Sequence, residues 1–241
     1  MIGHRWVNVD GRSPARVAEV DDRLELGLAL EQLGLDGPRP VLISVGGASG
    51  LDASTGRRLL DLFRSELMPM LARLGAAVVD GGTDAGIMAL MGQARRAASA
   101  DLPLIGVAAR GTVRLPEELA DRGAALEPGH THFVLVPGQR WGDEVPWLGA
   151  VADLLAGDCC AVTMVTGGGR ITERDVAASL AANRPTLLLA GTGGTADALV
   201  NRRNLHSRIV SVLDLDQDGE RLGGRLRALL QPDPRGEPAA H

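Results

Sequence analysis

The sequence predicts an α/β protein with three layers, helices on both faces of a mostly parallel sheet of about seven strands. Three observations carry this expectation. Short apolar runs alternate with segments of helical periodicity. The runs show no polar alternation, as expected of strands buried on both faces. Glycines cluster just after the runs: the chain has 32 in 241 residues, nearly twice the usual share of roughly 7%.

The elements follow in order. Trp6–Val9 is a weak edge strand, and Ala15–Leu33 is read as an amino-terminal helix. The strong strands are Val41–Val45, Ala76–Val79, Leu104–Ala108, Phe133–Val136, Ala161–Val165, Thr186–Ala190 and Ile209–Leu213. Leu59, Leu60, Phe63, Leu67, Met70, Leu71 and Leu74 are spaced by threes and fours, which gives one apolar helix face. Ile87–Ala98 is the next helix. Asp143 caps another, with Pro146 in its first turn, running to Leu155. A helix starts near Thr172 and runs to about Asn183, and Thr195–Asn204 and Gly219–Leu230 are the last two. Residues 110–132 interrupt the alternation and form an excursion over the sheet. The domain expectation is an extension over 1–36, one domain over 37–230, and a disordered tail over 231–241, which holds three prolines.

Composition removes several function classes. The chain has no lysine, so its 25 basic residues are all arginine. A Walker-type phosphate loop and Schiff-base chemistry both need lysine. The net charge of −5 argues against nucleic acid as a partner. Cys159 and Cys160 are adjacent and too few for a disulfide framework or a zinc site. No secretory signal pattern and no apolar run of membrane-spanning length is present, so a cytoplasmic protein without membrane insertion is expected.

The glycines then locate a site. Gly46 and Gly47 follow the first strong strand, and Gly81, Gly82 and Gly86 the second. Gly167, Gly168 and Gly169 follow the fifth, and Gly191, Gly193 and Gly194 the sixth. The carboxyl ends of parallel strands face a ligand crevice. Helix amino ends leading off such turns offer free N–H groups and a positive dipole end, which suits phosphate without any lysine. Ala48 stands where the dinucleotide fingerprint G-x-G-x-x-G needs its second glycine, so a standard NAD dehydrogenase is excluded.

These blocks resemble the SLOG superfamily, specifically the prokaryotic LSDAT type shared with the cytosolic amino-terminal region of melastatin-type TRP channels. The resemblance covers about 36–200. It is carried by Arg39-Pro40-Val41-Leu42 leading to Val45-Gly46-Gly47-Ala48, by Asp80-Gly81-Gly82-Thr83-Asp84-Ala85-Gly86-Ile87-Met88 and by Leu104-Ile105-Gly106-Val107-Ala108. It continues through Leu126-Glu127-Pro128-Gly129-His130-Thr131-His132-Phe133-Val134-Leu135-Val136, Trp141-Gly142-Asp143-Glu144, Thr166-Gly167-Gly168-Gly169 and Gly191-Thr192-Gly193-Gly194-Thr195-Ala196-Asp197. The resemblance implies a Rossmann-like fold that binds a nucleotide-derived ligand, ADP-ribose or NAD-related, as a sensor. Its more distant LOG branch implies a phosphoribohydrolase. The LOG pattern P-G-G-x-G-T-x-x-E is incomplete here: the proline and the G-T pair are missing, and Thr83 replaces a third glycine. The family also makes a homodimer and a separate effector chain expected partners.

The candidate ligand-binding residues are therefore Gly46, Gly47, Ala48, Gly81, Gly82, Thr83, Gly86, His130, Thr131, His132, Gly167, Gly168, Gly169, Arg170, Gly191, Thr192 and Gly193. His130 and His132 either brace a strand end or line the pocket; two histidines are too few for a metal site, and no metal is expected. Glu144 and Glu173 are the candidate catalytic carboxylates, at helix starts where they either bind ribose, act as general base or merely suit the helix dipole. Arg110, Arg140 and Arg170 flank the same edge, and Trp141 is placed to stack on a base. Three functions are open: binding or sensing, hydrolysis of an N-glycosidic or phosphate ester bond, and a scaffold with its crevice plugged.

Overall fold

The computed structural model describes residues 4–11, 14–47, 51–118, 122–202 and 208–231. Ala48, the expected helix end at Asn204 and tail residues 232–241 lie outside them. The strands are His4–Asn8 (β1), Pro14–Glu19 (β2), Val41–Gly47 (β3), Ala77–Asp80 (β4), Leu104–Ala109 (β5), Val113–Arg114 (β6), Ala124–Ala125 (β7), His132–Val136 (β8), Ala161–Gly167 (β9), Thr186–Ala190 (β10) and Val210–Asp214 (β11). The α-helices are Leu26–Gln32 (α1), Ala53–Leu62 (α2), Met68–Arg73 (α3), Gly86–Ala97 (α4), Val145–Ala156 (α5), Arg170–Ala181 (α6), Gly194–Val200 (α7), Leu215–Asp218 (α8) and Leu222–Leu230 (α9).

The seven strong apolar runs are all strands of one sheet, in the order β1-β2-β8-β5-β4-β3-β9-β10-β11. Every neighbouring pair is parallel except β1 with β2. From β3 the chain winds outward through β4, β5 and β8, which lies against β2, then returns to β9 on the other side of β3. The strand order therefore reverses between β3 and β9, and a crevice opens outside their carboxyl ends.

Side chains on a strand alternate between the two faces. On β3, Val41, Ile43 and Val45 enter a core with α1, α5, α6 and α7, while Leu42 enters a second core with α2, α3, α4 and α9. A smaller third core holds Val113, Leu115 and Leu126 of the excursion over Val17, Phe133 and Leu135. Within the excursion, β6 and β7 form a small parallel pair.

The amino-terminal reading needs correction. Pro14–Glu19 is a strand, not the start of a helix, and joins β8 as a parallel neighbour. Ala15 and Val17 are buried while Pro14 and Glu19 are exposed, so the edge strand is set by its fit to β8. The helical part begins only after Asp22. Asp22 accepts from the N–H of Leu24, and Glu25 accepts from the N–H of Asp22, a reciprocal cap that fixes the start. The long apolar helix also carries an irregularity: α2 and α3 are joined by a wider π turn at Phe63–Leu67, just before Pro69. Proline lacks an N–H and its ring crowds the preceding turn, so the wider turn relieves both.

Candidate functional site

The crevice at the β3–β9 reversal is a cavity of about 520 Å³. Its floor is the carboxyl end of β3, from Ser44 to Gly47. At Gly46 the two central strands come so close that a Cβ would stand 2.1 Å from the Thr166 carbonyl oxygen. Only glycine keeps that floor flat. One wall is the turn after β4 with Gly81, Thr83 and Ala85, followed by Met88 of α4. The other wall is Glu144 and Leu148 of α5 with Gly169, Arg170, Ile171, Thr172 and Asp175 of α6. Trp141, half exposed, stands at the rim.

Three helices begin at this cavity: α4 behind Ala85, α5 behind Glu144, and α6 behind Gly169. None has a side-chain hydrogen bond at its N-cap. Two helices that begin elsewhere are closed by a side chain. Asp52 accepts from the N–H groups of Ser54 and Thr55 at α2, and Asp214 does the same for Asp216 and Gln217 at α8. At α5 the N–H groups of Val145 and Trp147 are bonded to the carbonyls of Gly142 and Glu144, and Pro146 has none. The open amino ends on the cavity are therefore those of α4 and α6, each contributing roughly half a positive charge there.

Two carboxylates face the same space. Glu144 is buried and accepts from the N–H of Gly142. Burial pushes its carboxyl above the usual range, with the neighbouring Asp143 adding to the shift against the pull of these hydrogen bonds and of Arg174. Asp175 is pushed up to about 7, by burial first and then by the charge of Glu144. Arg174 opposes both shifts.

The structure sorts the expected site residues. Gly46, Gly47, Gly81, Thr83, Gly169, Arg170 and Glu144 line the cavity. The rest do not. Gly82 lies under Phe133, and Gly86 opens α4 behind Ala85. The N–H of Gly167 donates to Thr192, and the Gly168 carbonyl accepts from Thr195. The fourth turn is closed on itself: Gly191 and Gly193 donate their N–H groups to the Asp197 carboxylate, and Thr192 donates to the Leu189 carbonyl. Glu173 is turned away and pairs with Arg202 at 2.9 Å. Asp175 takes its place because it lies three and four residues after Thr172 and Ile171, on their side of the helix.

The histidine block is also elsewhere. His130 is fully buried between two carboxylates, 2.8 Å from Asp80 and 2.8 Å from Glu127. It stacks on Phe133. Burial alone would lower its pKa, but the two carboxylates outweigh it and raise the imidazolium to about 9. Thr131 bonds to the backbone of Leu104, and His132 sits at the amino end of β8, opposite the crevice edge. Burial and the charge of Arg16 lower His132 to about 4. This block braces the sheet. Asp143 does not cap α5; it accepts from the N–H groups of Gln139 and Arg140 and so shapes the Trp141 loop. Arg110 pairs with Glu118, and Arg140 does not line the cavity. Trp147 packs against the core beneath Arg23.

Fold and crevice together define a Rossmann-like α/β domain with an open cleft at its strand-order reversal. A family model described as "SLOG in TRPM, prokaryote" matches residues 39–222, and the chain belongs to that family, the prokaryotic LSDAT type. The chain is similar to the "Transient receptor potential cation channel subfamily M member-like 2" of Nematostella vectensis, 23% identical over 247 residues. That match takes in 84% of this chain and 16% of the channel. It is also similar to the "Transient receptor potential cation channel subfamily M member 2" of Rattus norvegicus, 25% identical over 209 residues, 71% of this chain and 14% of the channel. The chain thus spans a small part of the channels it matches. Among solved structures, the X-ray structure of the structural-genomics target TM1055 shares the fold, with a TM-score of 0.50 and 24% identity over 72% of this chain and 91% of that one. Among the described residues, no helix is long and apolar enough to cross a membrane.

Proposed function

We propose that the crevice binds a nucleotide-derived ligand, ADP-ribose or an NAD-related molecule, and that the protein acts as its sensor. At the coarser level, the SLOG family and the shared fold support nucleotide-related binding or hydrolase-type chemistry. The observation that carries the finer reading is the convergence of the α4 and α6 amino ends, without capping side chains, on one cavity floored by glycine. Backbone N–H groups and helix dipoles bind phosphate in this arrangement. Arg170 at the rim adds a charge that can grip phosphate in two places. Trp141 at the same rim offers a face for an adenine ring. The relatives are cation channels by name, so the reading includes a signal passed to a separate effector chain, a homodimeric assembly and a cytoplasmic setting.

Calorimetry with ADP-ribose, NAD and mononucleotides, in Mg²⁺-containing buffer, tests the proposal. At least one should bind, and Arg170→Ala should weaken it by about 1.5–3 kcal/mol, the worth of a hydrogen bond to a charged group. Folded protein that binds none of them sinks the reading.

A second reading is hydrolysis of the bound nucleotide. Glu144 and Asp175 favour it, because a carboxylate beside a bound ribose can activate water. Free base or phosphate released from the same panel, and lost in Glu144→Gln, would establish it. Unchanged nucleotides after long incubation would leave binding alone.

A further inference from the structure

Glu144 and Asp175 are out of place in a pure anion site. Both face the cavity into which the amino ends of α4 and α6 open. Glu144 is 8% exposed, so its charge is poorly screened by water. A diphosphate entering the same cavity would add like charge to like, unless a cation came with it. On the floor, Ser44 is 1% exposed, lines the cavity, and its hydroxyl oxygen has no hydrogen-bond partner within the protein. Buried hydroxyls are normally bonded. The protein itself leaves this one, in a residue of the cavity floor, without a partner.

The geometry points to a nucleoside diphosphate held as its divalent-cation complex: Glu144 and Asp175 take the cation, the amino ends of α4 and α6 take the phosphates, and Ser44 donates to a phosphate oxygen. This rests on the nucleotide-binding reading above. Among the described residues there is no cluster of three or more His, Cys, Asp or Glu side chains that could hold a metal ion. A cation here would depend on its ligand. That is the habit of Mg²⁺, which takes one or two carboxylates and completes its shell with substrate phosphates and water. The spacing on α6 agrees. Asp175 lies five residues after Arg170, about 7.5 Å along the axis. Its side chain leans back toward the amino end. A phosphate oxygen, a cation and a carboxylate in series fill that span, with metal–oxygen distances of about 2.1 Å.

Two occupants compete for the carboxylate pair: a ribose diol, and a cationic ring carried by the nucleotide itself. Neither needs a metal. The test measures ADP binding by calorimetry in EDTA and in Mg²⁺, and Mn²⁺ binding by electron paramagnetic resonance with and without ADP. Both are corrected for the complex formed in free solution. The proposal expects cation and ADP to strengthen one another by roughly 5–150-fold, by the same factor in both directions as linkage demands. Glu144→Gln and Asp175→Asn, each shown to be folded by its cooperative melt, should bring that factor close to one. Ser44→Ala should weaken ADP and leave the factor intact. Equal ADP affinity in EDTA and Mg²⁺ overturns the cation and keeps the nucleotide reading, with the diol in its place. Tighter metal-free binding of NAD than of ADP overturns it in favour of the cationic ring. Mn²⁺ taken up with no effect on ADP also overturns it, and failure of ADP and of every nucleotide in Mg²⁺ overturns both readings.

Discussion

Gly92 and His130 show how single residues hold the molecule beneath its crevice. A Cβ on Gly92 would stand 1.7–2.3 Å from the Glu127 carboxylate, which itself clamps His130. Gly92→Ala must push apart a fully buried ion cluster, and should cost about 3 kcal/mol or more in urea unfolding. Gly56, in α2, has nothing within 4 Å of its virtual Cβ. Gly56→Ala should instead stabilise the protein by about 0.5–1 kcal/mol, because alanine restricts the unfolded chain. His130 adds a pH signature. Its folded pKa of about 9 lies above the ordinary 6.5. The stabilisation from its charge is fully present below pH 6.5 and is lost as pH rises through about 9. It is on the order of 3 kcal/mol. Unfolding free energy measured from pH 6 to pH 10 should fall across that window, and His130→Gln should flatten the fall. An unchanged slope in the variant would mean that His130 does not lose its proton across this window.

At the scale of elements, what matters is which way each helix faces. Asp197 closes the amino end of α7 by accepting from Gly191 and Gly193. Asp197→Ala should cost about 1 kcal/mol, as a lost cap does, and should not change nucleotide affinity, because that turn does not line the cavity. A large affinity change would put the fourth turn back among the ligand contacts. The same distinction marks the limit of sequence reading. The buried strands were legible because continuous Val, Ile and Leu runs mean burial on both faces wherever they occur. The glycine turns after β3, β4 and β9 were legible for a similar reason. The phase of α6 was not. Glu173 and Asp175 are two residues apart, about 200° round a helix, and no motif says which one faces inward. Local competition hid β2, since Ala15–Leu33 is apolar enough for a helix and only its pairing with β8 makes Pro14–Glu19 a strand. The Asp10-Gly11 turn signal and the Asp22–Glu25 cap would have divided it. The Glu127–His132 block is distinctive for a reason other than ligand contact: the Glu127–His130 cluster packs against Gly92, Asp80 and Phe133.

At the scale of the whole molecule, the crevice joins two groups of strands that meet only along β3 and β9. One group runs from β3 through β4, β5 and β8 to β2 and β1; the other is β9, β10 and β11. A ligand in the cavity touches α4 behind β4 and both α5 and α6, which flank β9 in the chain. It therefore ties one group to the other, and its binding energy should appear in global unfolding and not as local ordering alone. At a free ligand concentration of 100 times Kd, the added stability is about 2.7 kcal/mol. For a chain of this size that is a rise in melting temperature of roughly 5–11 °C. Hydrogen exchange should locate the effect. Amides at the amino ends of α4 and α6 should slow the most, because their N–H groups become bonded to the ligand, while those of Gly191 and Gly193, already bonded to Asp197, should change only through the global term. A ligand that saturates by calorimetry yet leaves the melting temperature unmoved would be binding outside this crevice, and selective protection at Gly191 and Gly193 would place it at the edge of α7 instead.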